Sequence, residues 1–264
     1  MKPNKFGVVI IQFLGKEDEK TGQILYDATL KYKKFQKSAL MTDFYDVHSK
    51  IEFIQILETL IQRIKDENYF FILHIETHGN RFEGLGSCYQ ELITWEEFFY
   101  YTRQINMLYD GTLLLMMALC HGNSAIRAIK IDERSPFKCI IGSFQKLKAI
   151  DVLRGFDAFY DTYFFEFNIS NALEAMNNEL DYNPPIWLIT DEYCFEQISF
   201  PKHDNRIFWM LLCNEVMGYY TKYPNTELPL SEIATKIDNH LQDEFERSQR
   251  YKDFFLFRSK ISNT

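Results

Sequence analysis

The sequence has no CxxC pair, no His/Cys spacing typical of a metal site and no apolar run long enough to span a bilayer. It also lacks a P-loop, a G-x-S-x-G nucleophile elbow and the third glycine that a dinucleotide fingerprint would need after Gly84-Leu85-Gly86. These absences argue against a metal centre, a membrane span and a nucleotide site. No metal and no cofactor is therefore predicted.

Net charge and cysteine content indicate which partners and which cellular compartment to expect. A net charge of −8 and a pI near 5.3 make nonspecific nucleic-acid binding unfavourable. Five cysteines, an odd number in a chain of 264 residues, are typical of reduced thiols. Residues 6–14 form an apolar stretch that Gln12 interrupts and no small-residue cleavage site follows, so a signal peptide is not predicted. We expect a cytoplasmic protein with no nucleic-acid or membrane partner.

Short apolar runs alternate with amphipathic segments along most of the chain. Six runs are typical of buried strands: residues 6–13, 41–47, 69–77, 112–119, 138–144 and 186–190. The alternation predicts an α/β fold, a three-layer αβα sandwich around a mostly parallel sheet, followed by C-terminal helices. We expect residues 1–200 to form the main domain and residues 201–264 to be a helical extension of the same unit.

Two of the predicted strand ends carry the residues of a candidate active site. His78 follows the strand at 69–77, and Cys120 follows the strand at 112–119. Sites in parallel sheets lie at the carboxyl ends of strands, so neighbouring strands would bring both residues to one edge. There the imidazole can take the thiol proton and produce a thiolate nucleophile, which a helix beginning after Cys120 would further favour.

Other groups near these residues have predicted roles of their own. The backbone N–H groups of Gly79 and Cys120 are predicted to form an oxyanion hole. His121 is a rival base, but adjacent side chains at a strand end point in opposite directions, so it is expected to face away from Cys120. The alternative interpretations are an inert buried thiol and a hydrogen-bonded loop histidine. The remaining cysteines are predicted to be structural: Cys88, Cys139, Cys194 and Cys213.

At His78-Gly79 and Ala118-Leu119-Cys120-His121-Gly122 the chain resembles the caspase-like, clan CD cysteine peptidases, in particular their bacterial CHAT-type members. The resemblance extends through Gly84-x-Gly86, Ile93-Thr94-Trp95-Glu96-Glu97 and Cys139-Ile140-Ile141-Gly142-Ser143. It implies a caspase-like fold and cleavage of a protein or peptide substrate by a His78/Cys120 dyad. It also implies a role in antiphage defence or regulated cell death, with an activating partner or sensor supplied in trans.

Three further residues are candidates for substrate binding: Ala118, Ser143 and Arg81. Many of these peptidases carry an acidic or polar residue two positions before the cysteine, where it helps to select P1, the residue on the amino side of the scissile bond. Ala118 stands there, so a basic P1 is not predicted. Arg81 is a candidate to line a pocket for an acidic P1, but its sequence context favours a surface arginine.

Control is expected to involve segments outside the dyad. Loops at residues 81–89 and 145–149 are rich in small or polar residues and are expected to become ordered when a ligand binds. The helices predicted over 205–259 are expected to dock the partner. The alternative function is a binding or scaffold protein of the same fold whose dyad is unused.

Overall fold

The computed structural model describes residues 5–36, 40–87, 91–180, 186–199, 205–223 and 226–258. The chain divides into two compact units, one of Met1–Ile129 with Arg134–Cys194 and one of Lys130–Glu133 with Phe195–Thr264. This division falls close to the boundary expected at residue 200. The C-terminal helices, however, belong to a unit of their own, whereas the sequence placed them in the same unit as the sheet.

Among the described residues of the first unit, eight strands form the sheet: β1 (Lys5–Phe13), β2 (Leu40–Asp46), β3 (Tyr69–Gly79), β4 (Gly84–Gly86), β5 (Leu92–Thr94), β6 (Leu114–Ala118), β7 (Cys139–Gly142) and β8 (Trp187–Thr190). The main path runs in the order β2-β1-β3-β6-β7-β8. Pairing is parallel from β2 to β7, and β8 runs antiparallel to β7. The hairpin of β4 and β5 continues from the end of β3.

Helices connect the strands: α1 (Thr21–Leu25), α2 (Lys31–Gln36), α3 (Lys50–Glu67), α4 (Trp95–Leu108), α5 (Ala149–Glu166), α6 (Ile169–Asn178) and α7 (Asp191–Ile198). A π-helical turn, Tyr26–Leu30, joins α1 to α2. Ser49 caps α3 and Thr94 caps α4, because each side chain accepts a hydrogen bond from the backbone N–H three residues later. No helix in the described parts of the chain is both long and apolar enough to cross a membrane.

Both faces of the sheet are covered because successive side chains of a strand point to opposite sides. Val8 and Ile10 of β1 belong to a core cluster that includes Phe156 of α5. Phe13 of the same strand instead contacts Phe53 of α3, with the ring centroids 5.9 Å apart. The structure is thus α/β with a mostly parallel mixed sheet and helices, an arrangement compatible with the expected three-layer sandwich.

The second unit contains α8 (Asn205–Lys222), α9 (Leu230–Arg250) and α10 (Lys252–Phe255). α8 and α9 pack against each other through a small apolar cluster centred on Leu212, Ile237 and Leu241. These helices confirm the prediction that the chain after residue 205 is helical.

The core under α5 gives a direct test of the fold. Phe156 is fully buried and Phe165 of the same helix is 86% exposed. Phe156→Ala should lower the free energy of unfolding by about 3–5 kcal/mol, because it removes buried apolar area and leaves a cavity. The matched control, Phe165→Ala, should change it by no more than about 0.5 kcal/mol. Urea unfolding followed by circular dichroism measures both, and equal losses would contradict the packing described here.

Candidate active site

The register between β3 and β6 aligns the two candidate catalytic residues. Glu76 of β3 lies opposite Ala118 of β6, and these are the last paired residues of the two strands. Two positions further along each chain come His78 and Cys120. Both therefore emerge at the carboxyl edge of the sheet from neighbouring parallel strands, as the sequence predicted.

A recess of about 170 Å³ opens at this edge, and both His78 and Cys120 line it. The other lining residues come from the ends of β1, β3 and β6, from the loop before α1 and its first residue, and from the start of α5 and the chain leading into it: Leu14, Asp18, Glu19, Thr21, Glu76, Thr77, Ala118, Leu119, Leu147, Ala149 and Val152. The thiol and the imidazole thus share one cavity wall. Ala118, predicted to contact substrate, is part of that wall.

Gly79 lets the end of β3 approach the backbone of Cys120. A Cβ atom at residue 79 would lie 1.9 Å from the Cys120 carbonyl oxygen and 2.5 Å from Cδ1 of Leu119. Real Cβ atoms do not approach other atoms so closely, so this contact requires glycine. The backbone of Gly79 is therefore in close contact with the backbone of Cys120.

The Gly79 N–H is not used by the ladder between β3 and β4. The Asn80 N–H donates to the Gly84 carbonyl at 2.8 Å, and Gly79 pairs with Leu85 in the same antiparallel ladder. Hydrogen-bonded and non-hydrogen-bonded pairs alternate in such a ladder, so the Gly79 N–H points away from β4. The oxyanion hole of Gly79 and Cys120 N–H groups stays a prediction, and this orientation agrees with it.

Asp18, in the loop between β1 and α1, orients the imidazole. Its Oδ2 accepts hydrogen bonds from His78 Nε2 at 2.8 Å and from the Gly15 N–H at 2.6 Å. Partial burial acts to raise the pKa of the Asp18 carboxyl, but these hydrogen bonds outweigh it and lower the pKa below its usual value. The sequence analysis did not find Asp18, although its position just after β1 at the same sheet edge was a usable signal.

The Cys120 thiol contacts the chain that leads into α5. Sγ accepts a hydrogen bond from the Leu147 N–H at 3.3 Å and lies 3.7 Å from the Leu147 carbonyl oxygen. Among the described residues no hydrogen bond joins Sγ to His78, whose side chain is 52% exposed. The two residues therefore share a recess, each held by a different loop.

A short helix follows Cys120, as the sequence predicts, and it is of the 3₁₀ type. Residues Gly122–Ala128 form a 3₁₀ helix of 7 residues. So short a helix has a weak dipole, and the donor that reaches Sγ is the Leu147 N–H. The expectation that a helix N-terminus favours the thiolate stays a prediction.

His121 is held away from the thiol. Its backbone adopts the left-handed conformation with φ of 58°. Its Nδ1 lies 2.7 Å from the Phe144 carbonyl oxygen, and its N–H donates to the Gln145 carbonyl at 2.9 Å. The ring is thus bound to the loop after β7, which agrees with the expectation that His121 faces away from Cys120.

Two of the predicted substrate-binding residues do not line the recess. Ser143 is buried, and its Oγ accepts a hydrogen bond from the Gln145 N–H at 3.0 Å. The Arg81 guanidinium lies over the Phe82 ring, 5.6 Å from its centroid. Both residues follow strands at the expected edge, but neither is among the residues that line the recess beside Cys120, and their contact with substrate stays a prediction.

The other cysteines differ from Cys120 in their surroundings. Burial raises the pKa of the Cys139 thiol to about 11 and that of the Cys194 thiol to about 12, which makes both poor nucleophiles. Cys213 is exposed on α8, and Cys88 lies outside the described residues. The described part of the chain contains no group of three His, Cys, Asp or Glu residues that could hold a metal ion.

No protein-family model matches this chain, and no curated protein matches it significantly. The functional interpretation therefore depends on the residues of the recess themselves.

The contact between Gly79 and Cys120 predicts a sharp steric requirement. Gly79→Ala should lower the free energy of unfolding by about 1–3 kcal/mol, because the new Cβ forces β3 and the Cys120 backbone apart. Gly218→Ala in α8 is the control, since no atom would meet the new Cβ within 4 Å. It should stabilise the helix by up to about 1 kcal/mol. Thermal unfolding measures both changes, and a neutral Gly79→Ala would refute the close approach.

The hydrogen bonds of Asp18 predict a pH-dependent contribution to stability. Because its pKa is lowered in the fold, this contribution is fully present above the unfolded carboxyl pKa and is lost as pH falls through the folded pKa. Asp18→Asn should therefore cost about 0.5–1 kcal/mol at neutral pH and little in acid, below both pKa values. The exposed Glu17 gives the control Glu17→Gln, which should show no such difference in urea unfolding across pH.

Proposed function

We propose that this protein is a cysteine endopeptidase in which Cys120 is the nucleophile and His78 its base. The observation that carries the proposal is the shared recess, where the thiol and the imidazole reach one cavity from the ends of adjacent parallel strands. Catalytic residues are typically placed at this edge of a parallel sheet. Within the proposal the α/β unit has the caspase-like sandwich that the motif resemblance implies.

The hydrogen bonds of His78 are those that a base of this kind needs. Nε2 is bound to the Asp18 carboxylate, and Nδ1 has no hydrogen-bond partner among the described residues. An acidic residue thus orients the ring through one nitrogen while the other is available to the thiol, as in a nucleophile–base–acid triad. In this role Asp18 is a positioning residue, since it acts through the imidazole.

The proposed reaction is two successive acyl transfers. His78 takes the proton from Sγ, and the Cys120 thiolate attacks the carbonyl carbon of the scissile peptide bond. The C–N bond then breaks, and the amine leaves with the proton that His78 returns. Water, deprotonated by His78, attacks the resulting thioester and releases the carboxylic acid product and the thiol. The N–H groups of Gly79 and Cys120 would stabilise the negative oxygen in both steps.

The proposal includes control by a partner in trans. In the free chain Sγ is bound by the Leu147 N–H and not by His78. A partner that moves the loop between β7 and α5 would release the thiol and allow the dyad to form. The roles in antiphage defence or cell death belong to this proposal through the motif resemblance alone. A scaffold protein with an unused dyad is the alternative that the missing His78–Cys120 hydrogen bond favours.

The test is covalent labelling by a thiol-reactive peptidyl probe, with the modified residue located by mass spectrometry. Cys120→Ala should abolish labelling at this site. His78→Ala should lower the labelling rate by about 100- to 10,000-fold, the usual contribution of a general base. The control is His121→Asn, because asparagine tolerates the left-handed backbone at this position, and it should retain most of the reactivity. A His78→Ala protein that reacts as fast as wild type would favour the scaffold alternative.

A further inference from the structure

The loop between β1 and α1, residues 14–20, carries Asp18 and is called the Asp18 loop below. Near its start the Gly15 N–H donates to Oδ2 of Asp18 at 2.6 Å, a contact within the loop itself. Directly after it, at the first residue of α1, the Thr21 hydroxyl donates a hydrogen bond to Oε1 of Glu76. This second contact ties the end of the loop to β3.

Two side-chain contacts thus join this part of the chain to one face of β3. Glu76 and His78 are two positions apart, so their side chains leave the strand on the same side. Thr21 binds the first of them, and Asp18 binds the second. All four residues line the recess beside Cys120. The two contacts are therefore neighbours, and a shift of one would move the other.

The two contacts differ in burial. Thr21 is 4% exposed and Glu76 is 3% exposed, whereas the side chain of His78 is 52% exposed. An exposed ion pair restrains its partners weakly, because water competes for both groups. A buried hydrogen bond to a carboxyl group is costly to leave unmade. The buried contact is therefore the stronger restraint on the Asp18 loop.

Glu76 is itself held by a polar chain that passes through the core. Its Oε2 lies 3.2 Å from His74 Nε2, and His74 Nδ1 lies 2.9 Å from the Tyr160 hydroxyl of α5. The fully buried His74 ring also packs edge-on against Phe156, with the ring centroids 4.8 Å apart. Burial raises the pKa of the Glu76 carboxyl, but Oε1 can accept the Thr21 hydrogen bond in either protonation state. The acceptor is thus fixed by β3 and α5.

The first turn of α1 lies directly against the same carboxyl group. A Cβ atom at Gly22 would be 3.2 Å from Oε2 of Glu76 and 3.1 Å from Oε1 of Gln12. Both distances are shorter than an ordinary van der Waals contact. Oε1 of Gln12 in turn accepts a hydrogen bond from the Gln23 N–H at 3.1 Å. The backbone that follows Thr21 is therefore closely fitted to β1 and β3.

We propose that Thr21 and Glu76 are positioning residues of the candidate site, whose buried hydrogen bond holds the Asp18 loop so that Asp18 meets the imidazole of His78. The inference rests on the proposed function, since it concerns the base of the Cys120 nucleophile. In this role Thr21 and Glu76 act through Asp18 and need no contact with substrate. Breaking their hydrogen bond would disable the base while leaving the sheet in place.

The first test replaces the Thr21 hydroxyl by a methyl group of similar size. The probe is a peptidyl acyloxymethyl ketone, which forms a thioether with Sγ of Cys120 and releases a carboxylate. Thr21→Val should lower the labelling rate about tenfold, the effect of losing one hydrogen bond to a carboxyl group. Thr21→Ser keeps the hydroxyl and should restore most of the rate. Labelling of Thr21→Val as fast as that of wild type would overturn the inference.

The matched control is Thr29→Val. The Thr29 hydroxyl also donates to a carboxylate, that of Asp157 on α5, but neither residue lines the recess. Thr29→Val therefore removes the same kind of hydrogen bond from the same region of the chain and should leave the labelling rate unchanged. An equal fall in Thr29→Val and Thr21→Val would mean a general loss of stability and would contradict a positioning role.

A double variant tests whether Thr21 acts through Asp18. Asp18→Asn alone should slow the labelling of Cys120, because the amide no longer orients the imidazole as the carboxylate does. Adding Thr21→Val to Asp18→Asn should then cause little further loss, since residues that act through one another are not additive. A full further tenfold loss would show that Thr21 acts by another route and would contradict the inference.

Hydrogen exchange of the Gly15 amide, followed by NMR, tests the anchor without a catalytic assay. This amide is bound to Asp18 Oδ2, so it reports the order of the Asp18 loop. It should exchange about tenfold faster in Thr21→Val and at the wild-type rate in Thr29→Val. If Thr21→Val does not fold, Thr21→Ala removes the hydroxyl without placing a methyl group beside the carboxyl and should give the same result.

The two readouts separate this inference from the proposed function. Wild-type protein that the peptidyl probe fails to label at Cys120 contradicts the peptidase assignment, and the exchange of the Gly15 amide still decides whether Thr21 holds the loop. Normal labelling of wild type, with neither labelling nor exchange altered in Thr21→Val, contradicts the inference and leaves the peptidase assignment in place.

Discussion

The close approach of Gly79 to the Cys120 carbonyl is the contact on which the rest of the site depends. It joins the ends of two parallel strands whose central residues are fully buried, so the positions of both ends are fixed by core packing. His78 directly precedes Gly79, and the thiol belongs to Cys120, whose carbonyl Gly79 approaches. Imidazole and thiol are therefore brought to one recess by backbone geometry, before either makes a side-chain contact with the other.

Two loops supply the hydrogen bonds that hold the imidazole and the thiol at the ends of the strands. Asp18 reaches the imidazole from the loop after β1, and the Leu147 N–H reaches the thiol from the loop after β7. Both loops lie at the same edge because β1 and β7 run parallel to β3 and β6. Loop hydrogen bonds rearrange at much lower free energy than strand pairing. Rearrangement of these loops is therefore the expected means of controlling the site. The sheet keeps the imidazole and the thiol in the same recess.

The sequence was sufficient for features that depend on local pattern. Strand ends follow from short apolar runs, and the placement of His78 and Cys120 follows from the strand ends. Asp18 was not predicted because its role depends on β1 lying beside β3, a pairing between residues far apart in the chain. Ser143 and Arg81 were placed at the correct edge, but a strand-end rule does not determine to which side a loop residue turns. The local periodicity of apolar residues therefore predicts where strands and helices lie. Which loop residues meet at the sheet edge depends on the order of the strands, which local periodicity does not contain.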